Sequence, residues 1–431
     1  MKTTIRHILA ATALTGSVLA TQAAAQEADC PIKVGVLHSL SGTMAISETT
    51  LKDTVEMLVA QQNEAGGLLG CDLEAVVVDP ASDWPLFAEK ARELLTVQNV
   101  DVIFGSWTSV SRKSVLPVLE ELNGLMFYPV QYEGEESSKN VFYTGAAPNQ
   151  QAIPATDYFL DELGVEKFAL LGTDYVYPRT TNNILESYLK DKGIADEDIF
   201  VNYTPFGHSD WSKIVSDVVA LGADGKKVGV ISTINGDANI GFYKELAAAG
   251  VSAEDIPVVA FSVGEEELSG LDTSNLVGHL AAWNYFMSAD TPENEEFIDA
   301  WHEFIGDDKR VTNDPMEAHY IGFNMWVNAV KEAGTTDVDA VREAMWGQEF
   351  PNLTGGTAVM GTNHHLSKPV LIGEITEDGQ FDILSQTEEV PGDAWTDYLP
   401  DSAVLKSDWQ ELECGMYNTE TETCVQIKSN Y

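Results

Sequence analysis

Apolar and polar positions follow two recurring patterns from residue 31 onward. Short runs rich in Val, Ile, Leu and Phe are typical of buried strands, and longer segments with apolar residues every three or four positions are typical of amphipathic helices. The first predicted strands are 32–37, 73–78, 100–104 and 125–128, alternating with predicted helices at 47–64, after the helix-capping Asp83, and at 110–122. Parallel strands need crossover connections, so this alternation predicts a parallel sheet with helices on both faces.

A second series of the same kind begins after Gly145-Ala146-Ala147-Pro148. Its predicted strands are 167–172, 199–203, 228–233 and 258–261, and its predicted helices are 155–163, 181–189, 211–221 and 240–249. The remaining predicted elements are strands at 280–284, 370–375 and 380–383 and helices at 295–305, 316–333 and 338–346. The pattern predicts an α/β protein of two doubly wound parallel-sheet lobes, which would enclose a ligand cleft at the carboxyl ends of their strands.

Composition and charge narrow the possible partners. The 431 residues include 68 Asp and Glu against 24 Lys and Arg, a net charge of -44, and 44% are hydrophobic. Binding to nucleic acid needs clustered basic side chains, whereas the basic runs here are single pairs such as Arg112-Lys113. Apolar residues are too abundant for a disordered chain, so the acidic excess indicates a solvated surface.

The amino terminus has the features of a cleaved secretory signal. Lys2 and Arg6 precede an apolar stretch at 8–20, and Ala23-Ala24-Ala25 fits a cleavage site, so residues 1–25 are predicted to be removed. The residues before Cys30 do not resemble a lipoprotein signal, and no later apolar stretch reaches the roughly 18 residues of a membrane span. We expect a soluble, exported protein.

Four cysteines in an exported chain favour disulfides. Three connectivities are possible. Cys30 and Cys71 directly precede the first two predicted strands, and Cys414 and Cys424 flank a short polar segment, so the favoured pairs are Cys30–Cys71 and Cys414–Cys424. The alternatives are free thiols or another pairing. The cysteine spacing does not indicate a metal site.

The familiar signatures of catalysis are absent from the sequence. It contains no G-x-S-x-G, no phosphate-binding loop, no H-E-x-x-H, and no G-x-G-x-x-G after the first strand. His364 and His365 are adjacent, and on a strand their side chains would point to opposite faces, which disfavours a shared metal ion. We expect these two histidines to be structural or to lie at the surface.

Polar and aromatic residues instead follow the predicted strands. The segment 105–109, Gly-Ser-Trp-Thr-Ser, places hydroxyls and free N–H groups at a helix start, where they could bind a carbonyl oxygen or simply cap the helix. Segments 128–133 and 174–179 bring tyrosines to strand ends, and 235–237 and 264–267 bring carboxylates. Because these ends face the predicted cleft, they are candidate ligand contacts.

From about residue 31 to residue 390, the chain resembles the substrate-binding proteins of urea-type ABC transporters, within the leucine- and amide-binding group of type I periplasmic binding proteins. The resemblance rests on these segments: GSWTSVSRKSVLPVLE (105–120), FYPVQYEGEESSKNVFYTGAAPNQQ (127–151), GTDYVYPRTTNNI (172–184), NGDANIGFYKE (235–245), GHLAAWNYFMSADTP (278–292), DPMEAHYIGFNMW (314–326) and NHHLSKPVLIGEI (363–375). Related amide binders and cytosolic amide sensors share some of them. The chain has Ser106 where urea-type relatives often carry Cys.

The resemblance implies two lobes joined by three crossings, near 145–151, 281–287 and 351–358. It implies a first lobe of 26–148 and 284–353, a second lobe of 149–283 and 354–404, and leaves a tail of 405–431 outside the family. It also implies a periplasmic location, no cofactor, and a monomer that closes on its ligand.

Urea has one carbonyl acceptor and four N–H hydrogens, and the expected contacts follow from that chemistry. Thr108 and Ser109, with their backbone N–H groups, would donate to the carbonyl oxygen, and Trp107 and Tyr175 would form flat walls. The groups expected to accept from or orient the amino groups are Tyr128, Tyr177, Asp237 and Glu265, and Gln131 completes the ligand-binding set. Because a buried carboxylate facing a neutral ligand is unfavourable, at most one of the two acids is expected in direct contact.

The resemblance therefore predicts a non-enzymatic solute-binding protein that captures urea and delivers it to an inner-membrane permease by closing its lobes. Within the same class, the alternatives are short-chain amides or branched-chain amino acids as ligand. An amide sensor subunit that binds a regulator is a second alternative, and an amidohydrolase is a third. A urea-dependent rise in thermal stability would favour the first function.

Overall fold

The computed structural model describes residues 30–269 and 272–399, together with the backbone of strands within 405–427. The predicted signal 1–25 and the predicted Cys414–Cys424 pair lie outside the residues whose side chains are described. No helix of the described part is long and apolar enough to cross a membrane.

The first lobe contains a five-stranded parallel sheet. Its elements are β1 (Ile32–Leu37), α1 (Ala45–Glu64), β2 (Leu73–Val78), α2 (Trp84–Glu93), β3 (Val102–Gly105), α3 (Ser109–Leu122), β4 (Met126–Tyr128) and β5 (Val141–Tyr143). The strand order is β2-β1-β3-β4-β5. Asp83 caps α2 as predicted, because its side chain accepts a hydrogen bond from the Leu86 N–H. The short β5 was not predicted.

The second lobe repeats this arrangement with the order β7-β6-β8-β9-β10 within a seven-stranded sheet, in which β7 is an edge strand. Its elements are α4 (Ala152–Asp161), β6 (Lys167–Thr173), α5 (Val176–Asp191), β7 (Ile199–Thr204), α6 (Ser212–Leu221), β8 (Val228–Thr233), α7 (Ala238–Ala248), β9 (Val258–Ala260), α8 (Glu265–Leu268) and β10 (Leu280–Trp283). The fold is thus the doubly wound α/β architecture that the sequence predicts.

The chain after β10 returns to the first lobe and then crosses back. The remaining elements are α9 (Pro292–Ile305), α10 (Asp314–Ala333), α11 (Val338–Met345), β11 (Glu349–Pro351), β12 (Thr357–Met360), β13 (Leu366–Lys368), β14 (Leu371–Ile375), β15 (Phe381–Gln386), β16 (Val390–Pro391), β17 (Leu405–Asp408), β18 (Cys414–Asn418) and β19 (Thr423–Ile427). Strands β14 and β15 extend the second sheet in the antiparallel direction. Strands β11, β12, β13 and β16 form a small separate sheet, and β17–β19 form another.

Core packing places the third crossing later than the sequence predicted. Leu353, Ala358 and Leu366 belong to the hydrophobic core of the first lobe, whereas Leu371 belongs to that of the second. We therefore propose a boundary at 369–370 rather than within 351–358. The resemblance assigned residues from 354 onward to the second lobe because the small sheet could not be recognised in the sequence.

A single amide joins the three crossings. The Asn284 side chain donates to the Gln150 carbonyl at 3.1 Å and to the Pro369 carbonyl at 2.7 Å, and its own segment follows β10. Gln151 donates to the Ala282 carbonyl at 2.6 Å. All of these groups are buried, so the crossings form one hydrogen-bonded hinge.

The predicted disulfide between Cys30 and Cys71 is present. It joins the residues that precede β1 and β2, which pair in parallel from Ile32 with Leu73 onward. The bridge therefore lies at the amino ends of these strands, at the opposite end of the sheet from the cleft.

Candidate functional site

Sheet topology fixes where a ligand would bind. In both lobes the strand order reverses direction beside the first strand, between β1 and β3 in one and between β6 and β8 in the other. Open α/β sheets bind ligands at this switch point, outside the carboxyl ends of the strands. The loops at these positions are 38–44 and 105–109 in the first lobe, and 174–175 and 234–237 in the second.

The turn from β3 to α3 is sterically restricted. A Cβ atom at Gly105 would lie 2.3 Å from the Leu37 carbonyl oxygen, so only glycine fits there. Ser106 follows in the left-handed region with a φ of 67°, which is unfavourable for a residue other than glycine. Its hydroxyl is buried and has no hydrogen-bond partner among the described residues. This strained, unpaired hydroxyl is a candidate ligand contact that the sequence analysis did not select individually.

The rest of the same turn shows which hydroxyls are available. Thr108 is the N-cap of α3: its side chain accepts from the Ser111 N–H and contacts the Ser111 hydroxyl at 3.0 Å. It therefore has the capping role that the sequence left open. Trp107 is buried, and its carbonyl accepts the hydroxyl hydrogen of Tyr128 at 2.5 Å. Tyr128 can therefore only accept a hydrogen bond from a ligand.

The hydroxyl of Ser109 is also committed, so only its backbone N–H keeps the predicted donor role. Its hydroxyl donates to the Glu133 carboxylate and accepts from Arg112 Nη1 at 3.2 Å. Because the one hydroxyl hydrogen is used, the Ser109 hydroxyl cannot donate to a ligand carbonyl. It can accept through its remaining lone pair.

A buried charge cluster supports this wall of the cleft. Arg112 is fully buried, donates to Glu136 at 2.6 Å, and lies 4.6 Å from the centre of the Tyr128 ring. Burial alone would raise the pKa of Glu136, but Arg112 and Lys113 hold it at about 2. Two cations and two carboxylates, including Glu133, therefore balance in charge.

The second lobe contributes two tyrosines. The rings of Tyr175 and Tyr177 lie 6.2 Å apart, and both are buried. Burial raises the pKa of both phenols, and the nearby Glu133 carboxylate of the first lobe raises both further, which places them across the cleft from it. Tyr177 lies beside Gln131 and Ser262, yet its hydroxyl has no partner of acceptable hydrogen-bond geometry among the described residues.

Gln131 bridges the two lobes. Its side-chain N–H2 donates to the Phe261 carbonyl at 2.6 Å and to the Ser262 hydroxyl at 2.8 Å. Its amide oxygen is buried without a partner among the described residues. A second direct bond joins the lobes where Ser47 donates to Glu267 at 2.6 Å. The lobes are therefore in contact on both sides of the cleft.

The structure brings together six of the nine predicted contacts: Trp107, Ser109, Tyr128, Gln131, Tyr175 and Tyr177. Asp237 is exposed at the start of α7, and Glu265 accepts from the Met287 N–H at 2.7 Å in the second crossing. The sequence reasoning missed Ser106, Arg112, Glu133 and Ser262. The Tyr-Glu-Gly segment was a signal for Glu133, but nothing in the sequence indicates that Arg112 is buried.

Glu265 is a buried acid that should make stability depend on pH. Burial raises its pKa from 4.5 to about 8, so the folded protein holds a proton there that the unfolded chain has released. The unfolded state binds fewer protons between pH 4.5 and 8, so this contribution to stability decreases as pH rises through that window.

We expect Glu265→Gln to be more stable than the wild type at pH 8.5 by roughly 2 kcal/mol, with little difference at pH 5. The comparison between variants matters because His279 and His365, whose pKa values burial lowers to about 4, oppose the trend at lower pH. Guanidinium unfolding at both pH values measures the difference. The exposed Glu254→Gln is the matched control, and an equal gain in that control would contradict the assignment.

The adjacent histidines are structural, as expected. His364 contacts the Val141 carbonyl at 3.0 Å, and His365 contacts the Tyr132 hydroxyl at 2.5 Å. Burial lowers the pKa of His364 to about 3. Within the described residues, no group of three His, Cys, Asp or Glu side chains could hold a metal ion.

Two doubly wound lobes that meet at a buried polar cleft define a two-lobed α/β binding protein. Residues 32–401 match the family described as a periplasmic binding protein domain, which covers most of the chain. The chain belongs to this family. Family membership implies a periplasmic location.

Relatives and solved structures are similar to the chain over most of its length. "Leu/Ile/Val-binding protein homolog 6" of Brucella melitensis is 26% identical over 386 residues, covering 86% of this chain and 94% of the relative. A solute-binding protein of an ABC transporter from Rhodopseudomonas palustris, solved with p-hydroxybenzoic acid, has a TM-score of 0.73 and 20% identity and covers 84% of this chain and 97% of that chain. A leucine-binding protein from Thermotoga maritima has a TM-score of 0.71 and 16% identity, and the match covers 83% of this chain and 99% of that chain.

Proposed function

We propose that this protein is the binding component of an ABC transporter and captures urea or a short neutral amide. The ligand would lie between the β3–α3 turn with Tyr128 on one side and Tyr177 on the other. Closure of the lobes would enclose it, and the closed form would deliver it to the membrane permease.

The observation that carries the proposal is the hydrogen-bonding capacity left at the cleft. Three buried oxygens can only accept, those of Tyr128, Ser109 and the Gln131 amide, while the Tyr177 and Ser106 hydroxyls keep an unused hydrogen. Urea offers four N–H hydrogens and one carbonyl oxygen. The three acceptors and two donors at the cleft therefore complement the N–H hydrogens and the carbonyl oxygen of urea.

Charge balance also favours a neutral ligand. Among the described residues, Arg112 and Lys113 are the cations beside Tyr128 and the cleft. Both pair with Glu133 and Glu136. A carboxylate ligand would find no uncommitted cation there and would depend on the N–H groups at the start of α3 and on free hydroxyls, and burying it without such partners is strongly unfavourable. Glu265 does not supply a counter-charge for an ammonium group at neutral pH, because burial keeps it protonated.

The second candidate is a branched-chain amino acid or an aromatic acid. It is favoured by the relatives named as Leu/Ile/Val-binding protein homologues and by the neighbour solved with p-hydroxybenzoic acid. Both ligand types carry a carboxylate, so a direct comparison with urea separates the two candidates.

Thermal unfolding with millimolar urea, acetamide, isoleucine or p-hydroxybenzoate tests the proposal. A ligand that binds only the folded protein stabilises it by about 2.7 kcal/mol at a hundredfold excess over Kd. We expect urea, acetamide or both to raise Tm. A rise with isoleucine or p-hydroxybenzoate, and none with the neutral ligands, would overturn the proposal.

Tyr177→Phe should weaken urea binding about tenfold, because it removes the free hydroxyl donor while keeping the ring. Tyr243→Phe is a matched control: its hydroxyl is equally buried in the second lobe and unpaired among the described residues, but it belongs to α7. Calorimetric titration should show urea affinity unchanged in the control. Equal losses in both variants would remove Tyr177 from the site.

A further inference from the structure

The hydrogen bonds of Ser109 have a direction that its partners dictate. A serine hydroxyl has one hydrogen and two lone pairs. Arg112 can only donate, so it occupies one lone pair, and the hydroxyl hydrogen is donated to the Glu133 carboxylate. What remains for a ligand is one lone pair.

Glu133 is placed to enforce this direction. Its side chain is 1% exposed, and Oε1 lies 3.4 Å from Arg112 Nη2 and 3.6 Å from Lys113 Nζ. Its other oxygen, Oε2, accepts the hydrogen bond from the Ser109 hydroxyl. Two residues earlier, Gln131 reaches across to the second lobe, and the Glu133 charge acts on both Tyr175 and Tyr177. The carboxylate therefore lies beside the cleft and behind its serine.

We propose that Glu133 is a positioning residue that makes the first-lobe wall of the cleft accept hydrogen bonds, and that it thereby selects ligands with N–H donors over carboxylates. This inference rests on the proposed function and identifies what sets its substrate class. Glu133 acts in two ways: it turns the Ser109 hydrogen away from the ligand, and its negative charge repels a carboxylate.

Acetamide and acetate are a suitable pair of probes because they are nearly isosteric and differ in the group that the wall would recognise. Acetamide can donate two hydrogens to Ser109, Tyr128 or Gln131. Acetate would bring its oxygens against these three acceptors, which have no hydrogen left for it, and its first-lobe donors would be limited to the Ser106 hydroxyl and the N–H groups at the start of α3. Specificity would come from this mismatch as much as from favourable contacts to the amide.

Glu133→Gln tests the proposal. The glutamine removes the charge, and its N–H2 can donate to Ser109, which frees the serine hydrogen to face the cleft. We expect urea and acetamide to bind about tenfold more weakly, and the ratio of acetamide to acetate affinity to fall at least tenfold, measured by calorimetric titration. An unchanged ratio in a folded variant would overturn the proposal.

Glu136→Gln is the matched control, because Glu136 is also buried, also pairs with Arg112, and carries the same charge. Its other partners are Lys113 and the Tyr143 hydroxyl, neither of which is a predicted ligand contact. The affinity ratio should stay within threefold of the wild type. A fall as large as that in Glu133→Gln would show that any loss of charge around Arg112 has this effect, which would overturn the specific role of Glu133.

A second measurement separates positioning from a merely structural role. In a Ser109→Ala background, Glu133 has no hydroxyl to orient, so adding Glu133→Gln should change the ratio much less than it does in the wild type. Equal effects in both backgrounds would contradict action through Ser109. Should Glu133→Gln fail to fold, Ser109→Ala alone still tests the direction: acetamide should weaken while acetate stays excluded, and a gain of acetate binding would overturn the proposal.

The two levels of the proposal fail differently. If the wild type binds acetate, isoleucine or p-hydroxybenzoate and neither urea nor acetamide, the proposed function and this inference both fail. If the wild type binds urea or acetamide but the Glu133→Gln ratio is unchanged, the proposed function stands and only the role of Glu133 fails.

Discussion

Replacing Arg112 with methionine is expected to lower the free energy of unfolding by about 3–5 kcal/mol. Methionine fills a similar volume but leaves Glu133 and Glu136 buried with only the half-buried Lys113 as a cation. It also removes the cation that stacks 4.6 and 4.7 Å from the Tyr128 and Tyr132 ring centres. A fall in Tm of roughly 10 °C follows from this loss of free energy.

Glu136 gives the Arg112 prediction its pH dependence. Its folded pKa of about 2 lies below its ordinary value of 4.5, so the pair stabilises the wild type above pH 4.5 and loses this contribution as pH falls towards 2. The gap between wild type and Arg112→Met should therefore narrow at acid pH.

The triple variant Arg112→Met, Glu133→Gln, Glu136→Gln separates lost charge pairing from lost packing. Neutralising the whole buried set can be nearly neutral for stability, because no unpaired charge remains. We expect the triple variant to recover most of the loss at pH 7 in guanidinium unfolding. A triple variant as unstable as Arg112→Met would show that packing of the guanidinium, and not charge balance, is the dominant contribution.

Loss of the Cys30–Cys71 bridge should have an effect of similar size. The cysteines are 41 positions apart, and constraining a loop of this length in the unfolded chain contributes about 4 kcal/mol. The double variant Cys30→Ser, Cys71→Ser should unfold at a lower guanidinium concentration. Guanidinium is the appropriate denaturant because urea is the proposed ligand.

The binding site provides an internal control for the disulfide prediction. The bridge lies at the amino ends of β1 and β2, whereas the cleft lies at the carboxyl ends, so urea affinity of the folded double variant should match the wild type. Reduction of the wild type should reproduce the lower stability. A variant that keeps its stability but loses urea binding would contradict both statements.

The elements that bury one periodic face were predictable from the sequence. Strands β1, β2 and β8 have the predicted bounds, because continuous apolar runs end there at clear turn residues. The three-residue β5 and the small sheet of β11–β13 and β16 were not predicted, since two to four residues carry no recognisable period and pairing depends on partners distant in sequence. The proposed later position of the third crossing rests on this small sheet, which the sequence did not indicate.

The grouping of candidate site residues was predictable from the sequence, but their hydrogen-bond directions were not. Strand-end loops identified Tyr128, Gln131 and Tyr177 because carboxyl ends of parallel strands converge. Arg112, by contrast, belongs to an Arg-Lys pair that is typical of a solvated helix face. Its burial depends on Glu133 and Glu136, to which its guanidinium donates. These partners are 21 and 24 positions later in the chain. Without that fact the donor role given to Ser109 could not be corrected.

The direct bonds between the lobes, from Gln131 to Phe261 and from Ser47 to Glu267, stabilise the closed form independently of any ligand contact. When a protein alternates between an open and a closed form, its observed affinity is the affinity of the binding-competent form multiplied by the fraction of molecules in that form. Ser47 and Glu267 are not among the candidate ligand contacts. Substitutions there would therefore strengthen or weaken the binding of every ligand by the same factor. Overall affinity and ligand specificity thus depend on different residues, so evolution could adjust them independently.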